Sequence, residues 1–323
     1  MLHSEIKVSK SKVPILVTSA GVASAVNIIR ALKIQNEIPV HIIAIDQNPL
    51  ASGLYLADSH YTSPSANEFS KYLDFILKLA KTHKIQAIFP CYSKEIYSFA
   101  NNQDLLRDSG ISSLLPEPDV IALCDDKIKM KNFVSNLDIL VPKTIDNPIV
   151  KDLPLFSKKN QGSGSKGATL VESVHMLNHL RIEDETNIFE SYIEGEEFTI
   201  DLLCDRKSRV LATSPRSRLL VKDGQTVIGE TVQSAEMVNH AHDICQTLGI
   251  VGPCNAQFIK RNNKFYFLEI NPRFAAGGLM LTVKAGLNIP LIALKMMLGH
   301  ELASKNSAKV GVKMVRYWNE IFI

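Results

Sequence analysis

Over the first third of the chain, short unbroken apolar runs alternate with stretches whose apolar residues recur at helical spacing. Val13–Thr18 and Val40–Ile45 are such runs, the second stopping at Asp46, and Ala87–Phe89 is a third. Helical spacing extends from Val22 to about Ile34 and from Phe69 to Lys81. An unbroken apolar run reads as a strand buried on both faces. Its alternation with helices predicts a parallel sheet with helices on either side. Pro116-Glu117-Pro118 interrupts this pattern and marks a boundary. Beyond it, Asp119 is placed to cap a helix running through Asp125-Asp126-Lys127 to about Leu137. Strands are predicted at Leu153–Ser157 and Ala168–Val171, around a glycine-rich loop, and a helix from about Glu172 to Leu180 follows. From Asn187 onward strands dominate: Phe198–Leu203, Val210–Thr213, Ala256–Ile259 and Phe265–Ile270. One long helix, about Val232–Leu248, interrupts them, and helical runs at Leu279–Ala285 and Ile289–Leu298 follow. The fold class is α/β passing into α+β. Three units are expected: a parallel-sheet domain over 1–117, a smaller unit with a leading helix over 118–190, and a strand-rich lobe over 191–323.

Composition narrows the class without naming a chemistry. The 323 residues are 46% hydrophobic and 21% charged, which suits an ordinary globular chain able to bury a real core. The formal net charge is +3, and no basic stripe is interleaved with aromatics, so a nucleic-acid partner is not expected. Cys91, Cys124, Cys204, Cys245 and Cys254 are scattered and form no C-x-x-C pair. Buried free thiols in a reducing cytoplasm are therefore expected, with neither a disulfide framework nor a thiolate zinc site. No apolar run approaches a membrane span, and the polar start Met1–Lys7 does not read as a secretory signal.

The stretch Ser157–Val171, SKKNQGSGSKGATLV, carries Gly162, Gly164 and Gly167 among three lysines. A P-loop needs Lys then Ser/Thr directly after its last glycine, and Ala168-Thr169 stand there instead. A dinucleotide fingerprint opens a helix, whereas Gly167 is followed by a β-prone run. A glycine loop between two strands that folds its N–H groups over phosphate oxygens remains, alongside a plain Gly/Ser linker. The turn Thr18-Ser19-Ala20-Gly21 has one glycine where a dinucleotide site wants three, although Asp46 sits where a ribose-binding acid would. That speaks against a nicotinamide oxidoreductase.

Four features come in a fixed order. Asp126-Lys127 opens a helix, and Lys158 stands just before the glycine loop. In Ile188–Asp201, IFESYIEGEEFTID, Glu190 and Glu197 lie in apolar strands, where a carboxylate needs a partner. In NAQFIKRNNKFYFLEINPRFAAGG, Gln257 lies on one strand and Glu269 ends the next, across a Lys260–Lys264 hairpin. Asn271 and Arg273 follow around Pro272. Oxygens of this kind suit hard Mg²⁺, and Arg273 is placed to meet a phosphoryl group in transfer. Arg216 and Arg218 alternate in a strand and face one side, so both are candidates for a substrate carboxylate.

These motifs together resemble the ATP-grasp enzymes over about Val13–Gly299, closest to the carbamoyl-phosphate synthase large subunit, biotin carboxylase and the related amino-acid ligases. "DK…VPKT", "K…GSGSKG", "ESYIEGEE" and "Q…EINPR" recur there in this order. The resemblance implies a pre-ATP-grasp domain followed by a two-lobed ATP-grasp domain. It implies that Lys127 and Lys158 hold ATP phosphates under a lid containing Gly162, Ser163, Gly164 and Ser165. Glu190 would accept from the adenine amino group, with backbone at Ser191, Tyr192 and Ile193 reading the ring edge, and Glu197 would bind ribose. Gln257, Glu269 and Asn271 would hold two Mg²⁺ (or Mn²⁺) ions, with Arg273 stabilising the transferred phosphoryl. Two departures matter. Lys159 stands where the family usually has Pro, and small residues, Phe274-Ala275-Ala276-Gly277-Gly278, follow Arg273. The expected activity is an ATP-dependent ligase that converts a small carboxylate to an acylphosphate and joins it to an amine. Phosphorylation of a carbonate or carbamate substrate, and a non-catalytic ATP sensor, are the alternatives. Dimerisation is common among relatives and is an expectation here.

Overall fold

The computed structural model describes residues 12–162, 167–302 and 306–323. Strands β1 (Val13–Val17), β2 (Val40–Asp46), β3 (Ser59–Thr62) and β4 (Ala87–Phe89) make a parallel sheet in the order β3-β2-β1-β4. Side chains alternate between its faces. Ile15 and Val17 pack with Ile28 and Leu32 of helix Ala23–Lys33. Leu16, Ile43 and Ile45 pack with Tyr72 and Ile76 of helix Phe69–His83. Strands buried on both faces are what their unbroken apolar runs demand. The first face also receives Leu279 and Val283 of helix Leu279–Lys284, and Leu291 and Leu294 of helix Ile289–Met297. The C-terminal helices thus share one core with the N-terminal sheet. Asn27 Nδ2 donates to the Ala276 carbonyl at 2.7 Å and Asn288 Nδ2 to that of Ala31 at 2.8 Å, which fixes the docking.

The single helix expected from Asp119 to Leu137 is two helices, Pro118–Asp125 and Lys127–Ser135. The break falls at Asp126, whose carboxylate accepts from the Lys129 N–H at 3.1 Å. A short acidic side chain competes with the helical bonding pattern and starts a new helix. Asp119 instead lies inside the first turn, after Pro118.

Strands β5 (Leu155–Lys159), β6 (Thr169–Val171) and β7 (Asn187–Ser191) form a small antiparallel sheet, β6-β5-β7, with helix Val174–Glu183 against it. Ser173 caps that helix by accepting from the Met176 N–H. Its buried apolar core is Leu155, Val171, Leu177 and Phe189. Burial of one such side chain contributes roughly 1.5–3 kcal/mol, so this core is modest and the unit is suited to move as a body.

The largest sheet, among the described residues, contains β8 (Glu196–Cys204), β9 (Val210–Lys222), β10 (Gln225–Thr231), β11 (Gly252–Arg261), β12 (Lys264–Asn271), β13 (Asn306–Ser307) and β14 (Lys313–Val315). Its order is β12-β11-β8-β9-β10-β14, with β13 beside β9. Asp223-Gly224 and Asn262-Asn263, all at positive φ, make its two-residue hairpin turns. One face packs Phe258 and Phe267 against Met130 and Val134 of the Lys127 helix, and against Met237, Ala241 and Ile244 of helix Ala235–Leu248. Among the described residues, no helix is long and apolar enough to cross a membrane.

Candidate active site

A cleft of about 1110 Å³ separates the small sheet from the free face of the large one. Ligand pockets usually span about 300–1000 Å³, so there is room for a nucleotide and a second molecule. Its walls come from the segment after β4, both helices around Asp126, the small sheet, and β9, β11 and β12.

The wall formed by the small sheet and the Lys127 helix is rich in lysine. Lys158 on β5 and Glu190 on β7 share a face, and their charged groups lie 3.2 Å apart. Lys131, one helical turn after Lys127, pairs with the other oxygen of Glu190. Lys127 Nζ donates to the carbonyls of Gly162 at 2.8 Å and Asn160 at 3.3 Å. Asn160 Oδ1 accepts from the Ile128 N–H, and its Nδ2 donates to Asp126. The approach to the glycine loop is thereby stapled to the helix start. Gly162 takes φ +111°, a conformation that L side chains rarely adopt. Ser163, Gly164 and Ser165 lie outside the described residues. Burial pulls the pKa of Lys158 down to about 8, with Lys127 pushing the same way and Glu269 opposing. Burial, then Lys158 and Lys127, press Lys131 below the ordinary lysine range.

The opposite wall is oxygen-rich. Gln257 on β11 stands directly across from Glu269 on β12. The Gln257 and Asn271 amides both converge on Oε1 of Glu269, at 2.8 and 3.0 Å. One carboxylate with two amide oxygens in reach is a hard donor set that fits Mg²⁺ or Mn²⁺ once the amides turn their oxygens outward. Arg273 donates from Nε to Ser93 Oγ at 3.0 Å and from a terminal nitrogen to the Phe274 carbonyl. The other terminal nitrogen lies 3.5 Å from Asn271 Oδ1. Burial lowers its pKa, with Glu269 opposing. Ser191, which ends β7, and Tyr192 and Ile193 after it line the cleft.

The two candidate substrate arginines part company. Arg216 makes a two-point pair with Asp201, each bond 3.1 Å, and donates to Thr226 Oγ1 at 3.1 Å. It does not line the cleft, and a Cβ on Gly278 would fall 2.0 Å from its guanidinium carbon. Arg216 is committed to the interior, which leaves Arg218 as the one of the two that faces the cleft. Arg218 lines the cleft, donating to Gln257 Oε1 at 2.7 Å and pairing with Glu197 at 2.9 Å. Glu197, read as a ribose ligand, is thus engaged with Arg218, although its side chain is 41% exposed.

Three features escaped the sequence. Glu95 accepts from Thr18 Oγ1, Ser19 Oγ, Tyr72 and the N–H groups of Cys91 and Tyr92, all within 3.0 Å. It fixes the segment that presents Ser93 to Arg273. Asp46 accepts from the Gly21 N–H at 2.7 Å and is used in the turn itself. The cysteines are free and buried as expected, but the gathering of the sulfurs of Cys204, Cys245 and Cys254 within 4.8 Å of one another in the core of the large sheet was not foreseen.

Residues 183–320 match the family model described as "ATP-grasp in the biosynthetic pathway with Ter operon", and residues 15–114 match "PylC-like, N-terminal domain". The protein has the ATP-grasp fold. The chain is 22% identical over 335 residues to the carbamoyl phosphate synthase large chain of Clostridium botulinum, covering 93% of itself and 30% of that protein. It therefore spans under a third of that relative's length. The biotin carboxylase domain dimer of Hydrogenobacter thermophilus 2-oxoglutarate carboxylase, solved with MgADP, ADP and bicarbonate, matches at TM-score 0.69 and 20% identity. The match covers 94% of this chain and 74% of that one. The L-amino acid ligase of Bacillus licheniformis matches at TM-score 0.65 and 15% identity, covering 90% and 75%. At such identity the structural likeness speaks for the fold, and the roles of individual residues rest on the geometry above.

Proposed function

We propose that the protein is an ATP-dependent ligase that activates a small carboxylate as an acylphosphate and joins it to an amine, releasing ADP and phosphate. The observation that carries this is the facing of two lysines, Lys127 at its helix start and Lys158 on the small sheet, across one cleft from Glu269, Gln257, Asn271 and Arg273. A triphosphate with a divalent cation is the ligand whose charges match both walls. Lys127, Lys158 and the Gly162–Ser165 loop take its phosphates, Glu190 and Ser191–Ile193 its base, and Glu197 its ribose. Gln257, Glu269 and Asn271 would hold Mg²⁺, which when bound would supply positive charge against the phosphates.

Arg218, held at the cleft wall by Glu197, Gln257 and the Gly224 carbonyl, is the candidate to meet the substrate carboxylate, which would take the place of Glu197 on its guanidinium. A carboxylate oxygen attacks the γ-phosphorus, the bond to the ADP oxygen breaks, and Arg273 faces the charge on the transferred group. The amine then attacks the acyl carbon. A C–N bond forms, phosphate leaves, and the amine gives up its proton. Positioning and charge neutralisation carry the chemistry, and no nucleophilic side chain is needed. Closure of the lid over the cleft keeps water from the acylphosphate.

The test is ADP release from Mg-ATP against a panel of paired amino acids and other small carboxylates and amines, with products read by mass spectrometry. Release that requires both an acid and an amine is expected. Tight Mg-ATP binding without turnover on any pair would make the protein a sensor instead.

Nucleotide binding also has an expected pH signature. Lys158 has a free-state pKa of about 8, and phosphate beside it favours the charged form, raising that value. Binding therefore takes up protons near pH 8, and affinity falls as pH rises from there toward the raised value. Calorimetry of Mg-ATP binding at pH 8, in two buffers of different ionisation enthalpy, measures the uptake. Proton release, or no buffer dependence, would contradict it.

A further inference from the structure

Lys131 is a buried charge that the chemistry of the cleft does not use. Its side chain is 3% exposed, its ammonium meets Glu190, and it does not line the cleft. Lys127 sits one turn before it, and like charges at that spacing disfavour the helix. Glu190, 2% exposed, carries one cation on each oxygen: Lys131 behind it and Lys158 on the cleft side. Two ammonium groups thus share one carboxylate, although one would neutralise it.

We propose that Lys131 is the standing counter-ion of Glu190, and that its presence lets Lys158 leave that carboxylate for the phosphates of a bound nucleotide. The proposal rests on the ATP reading of the cleft. Lys158 lines the cleft and has somewhere to go, whereas Lys131 stands behind and cannot follow a ligand. If Lys158 were the sole partner, its departure would strand a fully buried carboxylate, which is strongly unfavourable. With Lys131 in place, a neutral Lys131–Glu190 pair remains while Lys158 meets phosphate. The oxygen that Lys158 vacates becomes free to accept a hydrogen bond from the ligand. The two lysines also belong to different bodies. Lys131 lies on a helix whose Met130 and Val134 pack in the large core, and Lys158 lies in the lid sheet with Glu190. The Lys131–Glu190 pair therefore ties the lid to the large lobe while Lys158 exchanges partners. Lys131 acts through Glu190 and Lys158, so its role is positioning.

The experiment measures binding of Mg-tripolyphosphate and Mg-ATP by calorimetry to the wild type, Lys131→Met, Glu190→Gln and the double variant, with thermal melts as a check on folding. Tripolyphosphate isolates the phosphate contacts from those to the base. In Lys131→Met, Glu190 keeps hold of Lys158, and tripolyphosphate affinity is expected to drop about tenfold or more. Adding Glu190→Gln releases Lys158 and is expected to restore it, a rescue that a merely structural role for Lys131 would not give. Glu190→Gln alone, which is isosteric, is expected to bind tripolyphosphate at least as tightly as wild type, and this arm stands even if Lys131→Met fails to fold. Unchanged affinity in folded Lys131→Met, no rescue in a folded double variant, or weaker binding in folded Glu190→Gln each overturns the proposal while leaving the ATP reading intact. A wild type that binds Mg-ATP in no arm overturns both.

Discussion

Arg273→Ala is expected to lower turnover about a thousandfold while leaving the affinity for Mg-ATP nearly unchanged, because an arginine facing a transferred phosphoryl group contributes about 10³–10⁵ in rate. The geometry behind this is specific. Arg273 follows the strand that ends in Glu269 and Asn271, and its Nε is anchored 3.0 Å from Ser93 Oγ on the N-terminal unit. Its backbone is fixed as well, since Asn255 Nδ2 donates to its carbonyl at 2.9 Å. The guanidinium is therefore held before any ligand arrives and needs no reorganisation at the moment of reaction. Arg273→Lys keeps the charge but loses the planar fork, and is expected to recover only part of the rate. Single-turnover ADP formation, compared with nucleotide affinity, separates the effects. Turnover of the alanine variant close to wild type would remove Arg273 from the chemistry.

Glu269→Gln is expected to cost about 10²–10³ in turnover at ordinary Mg²⁺, by analogy with loss of one preorganised electrostatic group. Oε1 of Glu269 is the point on which the Gln257 and Asn271 amides converge, and among these three it is the one formal negative charge. Its replacement by an isosteric amide keeps the packing and removes the charge that attracts a divalent cation. The expected signature is a higher Mg²⁺ concentration for half-maximal ADP release. Binding of Mg²⁺-free ADP, which depends on the lid and base contacts, is expected to change little. A Mg²⁺ titration superimposable on that of the wild type would show that the cation is held elsewhere.

Much of the architecture was readable because local pattern and tertiary role coincide. The apolar runs at Val13–Thr18 and Val40–Ile45 became β1 and β2 almost residue for residue, since a doubly buried strand has no polar face to hide its signal. The hairpin at Lys260–Lys264 was legible from its turn, and Asn262-Asn263 adopt the left-handed backbone that Asn tolerates. The helix from Asp119 to Leu137 failed as one element because a single Asp126 side chain, bonded to the backbone three residues on, outweighs a continuous helical pattern. Strand β10 was missed, since Gln225–Thr231 is too polar and too broken by Gly229 to show a period. Arg216 and Arg218 read alike because they share a strand face. Asp201 and Thr226 hold the first, and the open cleft meets the second, and no spacing encodes that difference.

The order of elements, and the ordered Asp126-Lys127, glycine-loop, Glu190 and Glu269-Ile-Asn-Pro-Arg273 motifs, were determined by the sequence alone, because each depends on residues close together in the chain. What the tertiary structure decided is which charges meet. Lys131 and Glu190 are separated by 59 positions yet share a buried pair, and Ser93 reaches Arg273 across 180. Such partners are chosen by how sheets stack and cores close, and side-chain charge has no periodicity from which that choice could be read.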